Sequence, residues 1–252
     1  MISLAERIKE AKVMKGDIAI FFLGQAGFIL KDCKGHLLAY DIYLSNCCER
    51  FFGFKRLMAS LLEPRELIFD CIICSHGHYD HLDIDSMEEL LSNDRTLLYT
   101  PECGIVELKG IGITKGIQIE QGDEITLPGS FGKAKFVFCD HGESAPNAVG
   151  TVILSEGKKL YFAGDTAFRP KEIASKYTQD CDFAALPING AFGNMDEREA
   201  ALVAHQINTK LAVPCHYWNF AEHGGNPANF VRYAKKLQVS YMLMRQGEHI
   251  II

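Results

Sequence analysis

One short segment of the chain contains four side chains of the kinds that commonly bind metal ions. Three histidines and an aspartate fall within six positions, in the order His76, His78, Asp80 and His81. Imidazole and carboxylate groups together suit zinc, iron or manganese. Side chains two residues apart in extended backbone point to the same side, so His76 and His78 can bind one ion together. A turn after His78 would let Asp80 and His81 face a second ion.

This segment also admits two simpler interpretations. The histidines could belong to a polar surface loop, or the four ligand-type residues could form one closed structural zinc site. Structural zinc sites are usually rich in cysteine, and positions 76–81 contain no cysteine. Four ligand-type residues at this spacing therefore favour a reactive metal site.

The elements predicted around this segment are mostly short strands. Cys71–Cys74 is an apolar run that predicts a buried strand leading directly into the histidines. The other predicted strands are 18–23, 28–30, 37–40, 124–127, 135–139, 150–155, 159–163, 183–187, 211–213, 241–245 and 248–252. Helices are predicted from Ser3, over 84–91, from Thr100-Pro101 to 108, over 197–206 and over 227–237. Strand meanders with helices at intervals predict an α/β sandwich rather than a doubly wound parallel sheet.

The composition is that of an ordinary globular protein. The 252 residues are 48% hydrophobic and 23% charged, which is enough apolar material for a sizeable core. No proline- or serine-rich linker interrupts the chain, so residues 1–252 are predicted to form one domain. The net charge of −6 argues against a nucleic-acid partner, although a local basic groove would still be compatible with it.

The cysteines and the apolar runs indicate where the protein works. The nine cysteines are odd in number and contain no repeated CxxC pair. This predicts reduced thiols and a cytoplasmic location. Cys71 and Cys74 form a single CxxC, but within a strand their side chains would face opposite sides. The N-terminal residues do not resemble a signal peptide, and the longest apolar run, 18–30, is interrupted by glycines. We therefore expect no membrane span.

The HxHxDH pattern at the end of a strand resembles the signature of the metallo-β-lactamase superfamily. That family folds as two sheets between layers of helices and takes its later ligands from separate loops. Later segments match its pattern in the expected order, each after a predicted strand: Asp140-His141, Gly164-Asp165-Thr166 and His216. The resemblance covers most of the chain and implies a four-layer αββα sandwich.

The resemblance also implies two divalent metal ions, zinc or manganese in preference to iron. The implied ligands are His76, His78 and His141 for the first ion, Asp80, His81 and His216 for the second, and Asp165 as a bridge between both. Asp41 would support the site as a hydrogen-bond partner behind the ligands. Asp140 is an alternative to His141, which we favour because neutral imidazole is the commonest metal ligand.

Three further histidines are interpreted as structural. His36 lies in a strand turn and His205 in a predicted helix. His223 follows His216 closely in a loop that contains glycine and could face substrate, but a structural role is the simpler interpretation.

Such a pair of ions implies hydrolysis. A water or hydroxide bound between the ions would attack an ester, lactone, thioester or phosphodiester, and Asp80 could take part in proton transfer. Oxygen-reducing di-iron relatives typically carry a glutamate where this chain has His78. The segments Phe22–Phe28, Pro214–Tyr217 and Asn219–Pro227 resemble the branch that contains L-ascorbate-6-phosphate lactonase, which implies a phosphorylated sugar lactone as substrate. This chain is shorter than that lactonase, which has no histidine matching His141.

A basic segment after Asp41 predicts a small anionic substrate. Arg50, Lys55 and Arg56 could bind a phosphate or carboxylate, although basic runs are often only a solvated surface. Tyr217 and Asn219 are weaker candidates for donors to an oxyanion or a sugar hydroxyl.

Two other functions stay open. The chain could be a phosphodiesterase or nuclease of the same fold, or a metal-binding sensor without turnover. The acidic balance and the single predicted domain argue against a nucleic-acid substrate.

Overall fold

The computed structural model describes residues 2–252 and contains two β-sheets packed face to face. In chain order the strands are β1 (Ala19–Gly24), β2 (Gly27–Lys31), β3 (Leu37–Tyr40), β4 (Cys71–Ile73), β5 (Leu97–Thr100), β6 (Gly116–Gln118), β7 (Glu124–Thr126), β8 (Lys133–Val137), β9 (Gly150–Ser155), β10 (Lys158–Phe162), β11 (Phe183–Pro187), β12 (Ala212–Cys215) and β13 (His249–Ile251). The first sheet has the order β13-β1-β2-β3-β4-β5-β6 and the second has the order β12-β11-β10-β9-β8-β7.

Each sheet is antiparallel in one half and parallel in the other. Strands β1, β2 and β3 form a meander, whereas β3, β4, β5 and β6 run parallel. The second sheet repeats this division, with parallel pairing from β10 through β11 to β12. Parallel strands end at the same edge of a sheet, so the loops after β3 and β4, and those after β10 and β12, lie side by side.

Helices cover both outer faces. Buried side chains of α1 (Leu4–Glu10), α2 (Cys47–Phe52), α3 (Met87–Leu90) and α4 (Glu102–Gly110) pack against the first sheet. Those of α5 (Pro170–Ile173), α6 (Glu197–Gln206) and α7 (Pro227–Lys236) pack against the second. The result is the four-layer αββα sandwich that the sequence predicts.

The core between the sheets is built from large aromatic side chains. Phe28 of β2 contacts Phe162 of β10 edge to face, with ring centroids 5.4 Å apart, and Tyr40 stacks on the same ring at 4.6 Å. Side chains alternate along a strand, so Phe22 packs into this layer while Phe21 faces the helices. Burial of each ring contributes about 1.5–3 kcal/mol to the free energy of folding. This packing holds the two sheets together.

Most predicted elements are confirmed, and a few differ. The predicted helix over 84–91 is only one turn, Met87–Leu90. Thr100 does not cap α4, because it ends strand β5 and pairs with β6, and Pro101 takes the capping position. The predicted strand 241–245 reduces to a single bridge at Tyr241. The last strand, β13, therefore has no partner in 241–245 and pairs with β1 of the first sheet.

The structure also describes the cysteines and the apolar segments. All nine cysteines are free thiols. Among residues 2–252, no helix is long and apolar enough to cross a membrane.

Candidate metal centre

The seven predicted ligands come from four loops that meet at one edge of the sandwich. The loops follow β4, β8, β10 and β12, so each sheet contributes ligands. We call these seven residues the ligand cluster: His76, His78, Asp80, His81, His141, Asp165 and His216.

Three imidazoles of the ligand cluster form one group. His76 Nε2 lies 2.9 Å and His141 Nε2 lies 3.2 Å from His78 Nδ1, and the three side chains could hold one ion. The neighbouring Asp140 turns away and forms an ion pair with Arg169 at 2.9 Å. The geometry therefore brings His141, rather than Asp140, to the cluster.

The remaining ligands converge beside this group. His216 Nε2 lies 3.2 Å from His81 Nε2 and 3.2 Å from Asp80 Oδ2. Asp165 lies between the two groups, because its Oδ1 is 3.2 Å from His216 Nε2 while its Oδ2 is 3.7 Å from His141 Nε2. This carboxylate has the position expected of a bridge.

Asp41 orients one ligand from behind. Its carboxylate accepts hydrogen bonds from the backbone N–H of Ser75 at 2.7 Å, from the Ser75 hydroxyl at 2.8 Å and from His81 Nδ1 at 2.8 Å. The other ring nitrogen of His81 therefore faces the cluster. A carboxylate behind a ligating histidine fixes the ring orientation and raises its basicity.

The backbone at the site adopts conformations that side chains rarely take. Asp41 has φ 45° and His216 has φ 59°, which costs of order 1–3 kcal/mol for each residue. Gly77 is required for a different reason, since a Cβ atom there would lie 2.9 Å from the carbonyl of Cys103 in α4. Strained and closely packed backbone fixes the positions of the ligands on either side.

Burial and the two carboxylates set the protonation of the histidines. Burial lowers the pKa of His76, His78 and His141, which favours neutral rings with a free lone pair. Burial acts in the same direction on His216, but Asp165 and Asp80 outweigh it and raise the pKa of His216 to about 9.

The donor set fits cations. The Nε2 atoms of His76 and His141 lie 2.9 Å and 3.2 Å from His78 Nδ1. One proton at this point cannot satisfy both of these nitrogen–nitrogen contacts. Oδ1 of Asp165 is buried and lies 3.2 Å from His216 Nε2 and 3.3 Å from His81 Nε2, but neither contact within residues 2–252 has the geometry of a hydrogen bond. Lone pairs directed at one another in this way are satisfied by a metal ion, and nitrogen and oxygen donors suit zinc or manganese.

Five members of the ligand cluster, all except His76 and His81, line a cavity of about 480 Å³, a size typical of small-molecule sites. Four phenylalanines line its other side. We call them the aromatic wall: Phe52, Phe54, Phe192 and Phe220. Neighbouring rings in the wall have centroids about 6 Å apart, so they form a continuous apolar surface.

The structure does not bring the predicted substrate-binding residues to this cavity. The lining residues, all within the described part of the chain, include none of Arg50, Lys55, Arg56, Tyr217 and Asn219. Arg50 forms an ion pair with Asp85 at the surface. Arg56 donates its guanidinium hydrogens to backbone carbonyls. Tyr217 and Asn219 are buried next to His216.

Two residues at the site were missed or misread from the sequence. His223, interpreted as structural, lines the cavity and stacks on His216 with ring centroids 4.7 Å apart. Gln25, in the turn between β1 and β2, donates to Asp80 Oδ2 at 2.7 Å. The closeness of His223 to His216 was a usable signal, whereas the segment Phe22–Phe28 indicated only a resemblance to the lactonase branch and gave Gln25 no role.

Comparison with known proteins identifies the family of this fold. The family described as Beta-lactamase superfamily domain matches residues 43–217. A UPF0173 metal-dependent hydrolase of Anoxybacillus flavithermus is 31% identical over 202 residues, 75% of this chain and 84% of that protein. Another, from Hyperthermus butylicus, is 28% identical over 232 residues, 90% of this chain and 96% of that protein.

A solved structure with the same fold is a metallo hydrolase from the archaeon Ignicoccus hospitalis. It superposes with a TM-score of 0.72 at 22% identity, over 94% of this chain and 98% of that one. Fold, family match and relatives agree, and the chain belongs to the metallo-β-lactamase superfamily, within its UPF0173 family of metal-dependent hydrolases.

Proposed function

We propose that the protein hydrolyses a small carboxylic ester or lactone at a pair of divalent cations, zinc or manganese. The observation that supports this most directly is the position of Asp165, whose two carboxylate oxygens face the two groups of imidazoles. In this proposal His76, His78 and His141 hold the first cation. Asp80, His81 and His216 hold the second, and Asp165 bridges them.

Two cations held there would supply Lewis acidity to the scissile carbonyl and lower the pKa of a bound water. The protein's own side chains hold and orient the reacting groups. Asp41 keeps His81 in the tautomer that presents Nε2 to the cluster. Asp80 lines the cavity, so its carboxylate is placed to accept a proton during attack on the carbonyl.

The aromatic wall favours an apolar substrate body. Apart from the ligand cluster and His223, the cavity is lined by the wall, Cys48 and Ser144, and none of these carries a positive charge. A phosphorylated sugar lactone, implied by the resemblance to the ascorbate-6-phosphate lactonase branch, would need a cation for its phosphate beyond the metal pair. An uncharged ester or lactone matches the lining better, and a phosphodiester is the second candidate.

Hydrolysis rates with restored metals test the proposal. Metal-free protein receives zinc or manganese and is assayed with p-nitrophenyl butyrate, an alkyl γ-lactone, a phosphorylated sugar lactone and bis-p-nitrophenyl phosphate. We expect metal-dependent turnover that is fastest on the uncharged ester or lactone.

The variant Asp165→Asn serves as the inactive reference, and Asp94→Asn, at a fully exposed position, as the matched control. Fastest turnover of the phosphodiester would replace the proposal with the phosphodiesterase alternative. Metal binding without turnover of any substrate would contradict hydrolysis of these bonds.

A further inference from the structure

Gln25 holds an unusual position beside the ligand cluster. Its backbone has φ 53°, and its carbonyl accepts a hydrogen bond from the backbone N–H of His216 at 2.6 Å. That bond ties the β1–β2 turn of the first sheet to the end of β12 in the second. The side chain is only 2% exposed, so its carboxamide must find its partners inside the protein.

The carboxamide cannot satisfy the groups around it. Nε2 of Gln25 lies 2.7 Å from Asp80 Oδ2, 3.1 Å from His216 Nε2 and 3.0 Å from His223 Nδ1. An amide nitrogen carries two hydrogens, so it cannot donate to three acceptors, and a proton on His216 Nε2 would instead set two donors against each other. Meanwhile Oε1 of Gln25 is buried and has no hydrogen-bond partner in the described chain. Exchanging the two amide atoms would place an oxygen against the Asp80 carboxylate.

A cation at this point would satisfy all three acceptors. The candidate ligand atoms of Asp80, His216 and His223 lie within 4.8 Å of one another. Two imidazoles and a carboxylate are a ligand set that zinc and related metals accept.

The ring of His223 is held in place by its neighbours. It stacks on His216 at an interplanar angle of 19° and meets Phe220 edge to face at 5.0 Å. This packing places Nδ1 within 4.8 Å of the ligand atoms of Asp80 and His216, at the point that the carboxamide of Gln25 now occupies.

From this geometry we infer that His223 is a further ligand of the second cation and that the carboxamide of Gln25 competes with that cation for its position. The inference rests on the metal pair of the proposed function and extends it. His81 faces the side of Asp165, with Nε2 3.3 Å from Asp165 Oδ1. His223 packs against Phe54, Phe192 and Phe220 of the aromatic wall, and in this inference it adds to the ligand set.

Cobalt titration tests the inference without using activity. Full-length protein, stripped with a chelator, is titrated with Co²⁺, and the visible absorption of each bound equivalent is recorded. We expect His223→Ala to weaken the second equivalent at least tenfold and to change its spectrum, while the first equivalent is unaffected. Gln25→Ala should tighten the second equivalent several-fold, because it removes the competing carboxamide.

Two further variants keep the result interpretable. His223→Gln retains a polar side chain if the alanine variant does not fold, and His205→Ala is the matched control on the exposed surface of α6. A wild-type protein that binds fewer than two equivalents overturns the proposed metal pair, and this inference with it. Two wild-type equivalents that keep their affinity and spectrum in both His223 variants overturn this inference alone. Weaker binding in Gln25→Ala contradicts the competing role of Gln25.

Discussion

The cavity has two sides that are built in different ways. The ligand cluster is polar and mostly buried, with His78 and Asp80 half-buried, and its loops are anchored at the ends of strands from both sheets. The aromatic wall comes from α2 and from loops that lie apart in the sequence, and two of its rings, Phe52 and Phe192, are 57% exposed. Rigid strand ends hold groups to within fractions of an ångström, whereas loops vary more readily. We therefore assign the chemistry to the cluster and the choice of substrate to the wall.

Replacement of the bridging carboxylate should have the largest effect. Asp165→Asn keeps the shape but removes the charge that faces both groups of imidazoles. We expect kcat/KM to fall at least about 1,000-fold, since several kcal/mol of charge stabilisation are lost. Steady-state kinetics and metal analysis measure this change. Activity within tenfold of wild type would contradict the bridging role.

Loss of one imidazole should weaken metal binding by its own group of ligands more than metal binding by the other group. His78→Ala removes the ring whose Nδ1 is approached by both His76 and His141. We expect bound metal to fall from two equivalents to one and kcat/KM to fall at least about 100-fold. Elemental analysis gives the stoichiometry, and two retained equivalents would show that His78 is not a ligand.

Removal of the charge behind His81 should have an intermediate effect. Asp41→Asn weakens the hydrogen bond that orients the ring, and such partners typically change metal affinity or activity 10–100-fold. We expect a loss of about that size in affinity for the metal. A melting curve separates this effect from a general loss of stability, because Asp41 is completely buried. Unchanged metal affinity would rule out the supporting role.

A change in the aromatic wall should alter substrate affinity and leave the chemistry intact. Phe192→Ala removes an exposed ring that an apolar substrate would cover, which is worth about 1 kcal/mol or about fivefold in KM. We expect KM for the uncharged ester to rise while kcat stays near wild type. Phe51→Ala, exposed beside the wall but outside the cavity lining, is the matched control. An equal effect from both variants would contradict the assignment.

The smallest effect is expected at Arg50. Its guanidinium is 57% exposed and pairs with Asp85, and exposed pairs contribute about 0–1 kcal/mol. We expect Arg50→Ala to change KM for an uncharged substrate less than twofold. A rise in KM confined to anionic substrates would instead support the prediction that Arg50 binds an anion.

The ligand cluster was readable from the sequence because its residue types carry chemistry. Histidine and aspartate at the ends of apolar runs are unusual in a core, so four such segments in family order predicted both the sandwich and the loops that meet. The choice of His141 over Asp140 also followed from ligand chemistry, and the Asp140–Arg169 ion pair agrees with it.

The aromatic wall and the role of Gln25 could not be predicted from the sequence. Phenylalanine is common in a core, and although Phe192 lies in a glycine-containing loop rather than in an apolar run like that of Phe183, nothing in the sequence places that loop beside the cluster. Gln25 lies 55 residues from its partner Asp80, so only the folded first sheet, which carries both the β1–β2 turn and the loop after β4, reveals the contact. The predicted anion-binding residues at 50–56 do not line the cavity for a related reason, because charge alone does not say which way a side chain points.

The origin of the ligands in both sheets has a consequence for how the protein matures. Residues 76–81 can meet early, since they are close in sequence, but His141, Asp165 and His216 reach them only after the two halves of the sandwich have docked. Metal uptake is thereby coupled to completed assembly, and a bound pair of cations would act as a cross-link along that edge. A free metal concentration 100 times the dissociation constant adds about 2.7 kcal/mol to the free energy of unfolding. Metal supply in the cell would therefore set the lifetime of the protein as well as its turnover.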